Sequence, residues 1–126
     1  MSIGNTRRGT TLVSLIANDV TASTKTGSAV DLQNYEGDLL AILDAEAGGS
    51  GVTYAVKFTE SDTSGGSYTD VTSGAFTTTA ANTASVQSLI VNTDEIKRFV
   101  KVVVTVAGGS GTGAVSVSAV AMPKYG

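Results

Sequence analysis

Three stretches of this chain alternate apolar and polar residues with a period of two, and that pattern suits a half-buried β-strand, whose side chains point to opposite faces in turn. In VTYAVKFTE (residues 52–60), Val52, Tyr54, Val56 and Phe58 alternate with Thr53, Ala55, Lys57 and Thr59. In RFVKVVVTVA (98–107), Val100, Val102, Val104 and Val106 share one face, with Phe99, Lys101, Val103 and Thr105 on the other. In AVSVSAVAM (114–122), Val115, Val117, Ala119 and Ala121 alternate with Ser116 and Ser118. A core built from Val52, Val56, Phe58, Val100, Val102, Val104, Val106, Val115 and Val117 is therefore expected.

Further strand candidates are LVSLI (12–16), AVDL (29–32), YTDV (68–71), SGAFTTT (73–79) and ASVQSLIV (84–91). LLAILDA (39–45) is apolar on both faces, as a central strand would be, although so short a run also suits a buried helical turn. QNYEGD (33–38) and ANDVTASTKTGS (17–28) carry turn and loop chemistry, and NTDEIK (92–97) suits one helical turn capped by Asn92 or Thr93. No credible long helix is present. Thr and Val favour strands and the 15 glycines favour turns. The expected fold is all-β: a single β-sandwich, jelly-roll or immunoglobulin-like, of about seven to nine antiparallel strands with glycine-rich hairpins. The expected layout is an extended arm over residues 1–11, the sandwich over 12–122 and a tail over 123–126.

AGGSG occurs twice, at residues 47–51 and 107–111. A phosphate-binding loop needs a helix N-terminus directly after its glycines, whose amides and dipole hold the anion. Both runs lead instead into period-two strands, and no Gly-Lys-Ser/Thr follows either one. Hairpin turns are the expected role.

The absences bound the chemistry. With no Cys there is no disulfide, thiolate metal site or cysteine nucleophile. With no His the commonest general base, the commonest transition-metal ligand and the serine–histidine triad are all missing. Eleven acidic residues against eight basic ones, a net charge of −3, suit a phosphate backbone poorly. Neither enzymatic activity nor a cofactor is expected, and no nucleic-acid or membrane partner. The longest apolar run near the start, LVSLIA, is too short for a membrane span or a secretory signal, so synthesis in the cytoplasm is expected.

Two acidic groups deserve weighing. Glu60, Asp62 and Asp70 surround the loop ESDTSGGSYTD, which offers the oxygens calcium favours but not the spacing of a known calcium loop. Asp44 and Glu46 flank the first glycine run as a glycosidase pair might be placed, yet the chain has seven aromatics and no Trp with which to line a sugar cleft. Solvated loop carboxylates account for both groups, and no metal is expected. Arg7 and Arg8, adjacent in the polar arm MSIGNTRRGTT, suit a salt-bridging arm better than a nucleic-acid contact.

Three longer stretches, taken in order, resemble a family of small structural proteins of tailed bacteriophages. They are TKTGSAVDLQNYEGDLLAILDA (24–45), VKFTESDTSGGSYTDV (56–71) and KRFVKVVVTVAGGSGTGAVSVSAV (97–120). The family pattern has a Val-Asp-Leu-x-x-Tyr-Glu-Gly segment, a Glu-Ser-Asp loop ending in an aromatic-Thr-Asp sequence, and a Lys-Arg-aromatic-Val strand. These fall on residues 30–37, 60–70 and 97–100, and the resemblance covers about residues 24–121. It implies a virion component, such as a capsid decoration (cement) protein on the outer surface of the head, with the major capsid protein for a partner. Self-association as a trimer is expected because oligomer contacts would add burial to a modest core and closed rings suit threefold positions on an icosahedral shell. A head–tail connector, a tail component or a carbohydrate-binding module of a fibre are the alternatives. The ends match no part of the pattern. Arg7, Arg8 and Tyr125, in the arm and in the tail MPKYG, are the expected capsid or oligomer contacts.

Overall fold

The computed structural model describes residues 11–16, 24–108 and 113–123. Arg7, Arg8 and Tyr125 lie outside the described residues. The chain forms β1 (Thr11–Ile16), β2 (Lys25–Thr26), β3 (Val30–Asp31), β4 (Tyr35–Ala45), β5 (Thr53–Ser61), β6 (Thr69–Ala75), β7 (Ser85–Asn92), β8 (Phe99–Ala107) and β9 (Val115–Pro123). One sheet has the order β1-β9-β4-β7; the other has the order β2-β8-β5-β6, with β3 also on β8. Every pairing is antiparallel.

Strands β2 and β3 act as one interrupted edge strand. Lys25 pairs with Val104 and Val30 with Val100, and between them the Gly27 amide donates to the Val102 carbonyl at 2.8 Å. Counted so, eight strands pair in nested fashion: first with last, second with seventh, third with sixth, fourth with fifth. A long antiparallel hairpin rolled onto itself produces that nesting, which is the jelly roll. It selects the jelly roll over the immunoglobulin alternative.

The same topology corrects the reading of the glycine runs. The first joins β4 to β5 and the second joins β8 to β9, and in each case the two strands belong to opposite sheets. The runs are crossovers between sheets, not hairpins. The hairpin between consecutive strands is β5–β6, whose turn contains Gly65 and Gly66. A hairpin and a crossover both follow from flexible glycines, and only the pairing of the flanking strands tells them apart.

The core lies between the sheets. Val52, Val56, Phe58, Val100, Val102, Val104, Val115 and Val117 are buried, as the alternation predicts. Val106 is only half-buried, because it sits at the rim where β8 approaches the crossover. Tyr54, absent from the expected core, is fully buried opposite it. From the other sheet come Leu39, Ala41, Leu43 and Ala45 of β4. Phe76 closes one flank, its ring centroid 6.4 Å from that of Phe58. Each of these larger side chains contributes about 1.5–3 kcal/mol on burial.

Local chemistry sets several joints. Asn92 caps the short helical turn Thr93–Glu95 by accepting from the Asp94 amide at 2.9 Å, as expected. QNYEGD departs from its turn reading: the turn closes earlier, where the Asp31 carboxylate accepts from the Gln33 amide and the Tyr35 amide donates to the Leu32 carbonyl. β4 then starts at Tyr35. Gly37, with φ +73°, lies in the irregularity between Glu36 and Leu40, where the register against β9 shifts. At the β6–β7 crossover, Gln87 does the work of a strand residue. Its amide oxygen accepts from the Thr77 amide at 2.9 Å and its amide nitrogen donates to the Thr77 carbonyl at 2.8 Å.

Candidate assembly surface

The two outer faces of the sandwich differ in chemistry. On the β2-β8-β5-β6 sheet, several charged side chains have partners within the chain. Lys57 and Asp70 form an ion pair of 2.8 Å, and the Lys101 ammonium sits 4.5 Å from the centroid of the Tyr68 ring. The Thr59 hydroxyl donates to the Lys101 carbonyl. At the foot of β8, the Arg98 guanidinium makes a bidentate pair with Asp31, through Nε at 3.0 Å and Nη2 at 2.8 Å. That hydrogen bond holds the Asp31 carboxyl below its ordinary pKa, against a smaller opposing effect of desolvation.

The outer face of β9, β4 and β7 is apolar. The inward residues of β4 are 39, 41, 43 and 45, so Leu40, Ile42 and Asp44 point away from the core. By register Leu40 lies between Val120 and Ile90, and Ile42 between Ser118 and Ser88. Directly opposed residues share a face, so Val120, Leu40 and Ile90 form one apolar row across three strands. The exposed large hydrophobic side chains among the described residues are Leu40, Val86, Ile90 and Met122, at 37%, 74%, 63% and 51% exposure. All four belong to this face. Isolated exposed apolar residues are ordinary on a protein surface, whereas a set gathered on one sheet face is a feature that interaction surfaces share. LLAILDA is thus a central strand with both faces apolar, as expected, but the described residues cover only one of them.

Carboxylates rim this face. Glu36, Asp38 and Asp94 gather with Met122 in a shallow concavity at one end, and Asp44 marks the other end of the β4 row. Beside Ile90 opens a cleft of about 220 Å³, lined by Glu60, Ser73, Val91, Glu95 and Ile96 among others. Ser73 holds a positive φ of 57° there.

The acidic candidates from the sequence do not converge on a site. Asp70 is engaged by Lys57. Glu46 accepts from the Ala114 amide at 2.9 Å while its own amide donates to the Ala114 carbonyl, so it splices the ends of β4 and β9. Among the described residues no three acidic side chains are grouped closely enough to hold a metal ion, and no helix is long and apolar enough to cross a membrane. The apolar face itself was half legible in the sequence: the doubly apolar β4 signalled it, but Ile90, Val120 and Met122 join it only through register.

No protein-family model and no curated protein matches the chain. Solved structures of viral particles do. The T13 viral particle of infectious bursal disease virus matches over 90% of this chain with a TM-score of 0.61 at 12% identity. A structure of the Gx strain of that virus matches over 92%, with a TM-score of 0.60 at 12% identity. The VP2 subviral particle of the same virus matches over 91%, with a TM-score of 0.52 at 14% identity. The chain spans about a third of the length of each, 31%, 32% and 32% respectively. At such identities the likeness is one of fold alone: the jelly roll is shared with these viral-particle structures.

Proposed function

We propose that this protein is a structural component of a virion, a decoration protein bound to the major capsid protein on the outside of a tailed-phage head. The observation that carries the reading is the gathering on one outer face of the four exposed large apolar side chains among the described residues. Contiguous apolar patches on soluble proteins are often interaction sites. The jelly roll shared with viral-particle structures and the sequence resemblance to phage structural proteins support the virion setting. The protein acts by binding, without catalysis or cofactor.

Self-association as a trimer belongs to this reading. A domain of this size has a modest core, and closed rings of identical subunits suit threefold positions on an icosahedral shell. Arg7 and Arg8 would pair with capsid carboxylates and Tyr125 would add a contact from the tail, giving specificity more than affinity.

Purified heads that lack the protein test the proposal. The intact chain is expected to saturate them, and a variant without residues 1–10 is expected to stay folded but attach more weakly. Unchanged affinity of the truncated chain would remove the arm from the contact. Co-purification with tails alone would overturn the decoration role in favour of a tail component.

A further inference from the structure

The chemistry of the apolar face also specifies what covers it. We infer that the outer face of β9, β4 and β7 docks onto a different protein, through a surface with an apolar centre flanked by lysine or arginine side chains. This inference rests on the assembly role proposed above and goes further by naming the face and the chemistry of its partner.

Charge is the first reason. The strands of this sheet, β1, β9, β4 and β7, contain no lysine or arginine, whereas β4 alone carries Glu36, Asp38 and Asp44. The basic residues among the described ones, Lys25, Lys57, Lys97, Arg98 and Lys101, lie on β2, β5 and β8 or just before β8. The centre of the face is uncharged, with Ser88, Ser116 and Ser118 between the apolar side chains. Acid stands at both ends, with Asp44 at one and Glu36, Asp38 and Asp94 at the other.

That arrangement disfavours a second copy seated face to face. An isologous contact sets a patch against itself. Since both ends are acidic, carboxylate meets carboxylate when two such faces pack with their strands aligned, the two-fold axis lying along or across the strands. Like charges across an interface are selected against, and complementary ones steer and register the contact. The cleft beside Ile90 fits a basic flank in particular: Val91 and Ile96 offer apolar walls for an alkyl stem, with Glu60 and Glu95 at hand for its charged head. At about 4.8 Å between strands and 3.4 Å per residue, the patch measures on the order of 15 by 25 Å. That suits a small protein–protein contact better than an obligate one.

The test places photoreactive benzoylphenylalanine at position 90, on the face, and in a second protein at position 105, on the opposite sheet. Both are expressed in full-length chains in phage-producing cells, and crosslinked peptides are sequenced from the cells and from purified virions. The expected product at position 90 is one dominant crosslink to another protein, in a peptide with apolar residues between lysines or arginines. Its yield should fall at least tenfold in the double variant Asp38→Lys/Asp44→Lys, with no such product at position 105. A dominant crosslink at position 90 to a second copy of this chain would overturn the inference. So would a yield indifferent to the charge reversal, or no product at position 90 at all. If the expected product forms in cells but the protein is missing from virions, the virion role fails while the docking face stands.

Discussion

Gly51 and Gly108, one from each AGGSG run, meet backbone to backbone where β5 and β8 leave their sheet. A Cβ built on Gly108 would lie 2.7 Å from the Gly51 carbonyl oxygen, and one built on Gly51 would lie 3.3 Å from the Gly108 carbonyl oxygen. Both residues hold positive φ, 81° and 89° respectively. The repeated motif therefore makes a joint against itself, next to the Thr53–Ala107 pair that ends the β5–β8 ladder.

Gly108→Ala is expected to destabilise the fold by about 2–4 kcal/mol, from the left-handed backbone and a clash with main chain that has no rotamer to yield. Gly51→Ala is expected to cost about 1–2 kcal/mol, mostly from its φ. Urea denaturation of the two variants checks the order. Equal costs would show that the close approach contributes nothing.

Core and outer face should respond oppositely to substitution. Val102 and Val104 are fully buried, and replacing either with Ala is expected to cost on the order of 1–3 kcal/mol through lost burial and an unfilled cavity. Ile90→Ser, on the outer face, should change stability by no more than about 0.5 kcal/mol while weakening attachment to heads. Thermal denaturation measured beside head binding separates the two effects.

Tyr54 presents the reverse case. Its hydroxyl is buried and finds no hydrogen-bond partner among the described residues. Burial, and then the Glu46 charge, push its ionisation above the ordinary phenol value. The hydroxyl also occupies the space that a side chain at Gly113 would need. Tyr54→Phe removes the unpaired polar group and keeps the ring, so it should be neutral or stabilise by up to about 1 kcal/mol. A clear loss of stability on calorimetry would mean that the hydroxyl is satisfied.

The Asp31–Arg98 pair predicts an acid-sensitive contribution. The folded-state pKa of Asp31 is depressed, first by the hydrogen bond from Arg98. Its stabilisation is therefore fully present above the unfolded carboxylate value, about 3.9, and is lost as pH falls through the lower folded value. Asp31→Asn should be less stable than wild type at neutral pH, and the gap should close on acidification below about pH 4. Because the pair is exposed, added salt should narrow the gap as well. A gap that stays constant from neutral pH to pH 2 would contradict the assignment.

Period-two alternation made β5, β8 and β9 and most of the core readable from sequence, because each strand's two faces see different solvents and the residues record it locally. The Asn92 cap was readable for the same reason: donor and acceptor lie two residues apart. β2 was not readable, since two residues in a loop-like segment become strand only by lying against Val103 and Val104. The glycine runs announced joints, but whether a joint returns to its own sheet or crosses to the other depends on which strands pair, a choice made by contacts distant along the chain. The assembly face was decided the same way. Leu40 and Ile42 signalled it from within one strand. Its acidic ends, Glu36, Asp38 and Asp44, stand on that strand too, but its apolar row spans three strands only because register brings Ile90 and Val120 beside Leu40, while nothing in the described chain folds back to cover that face.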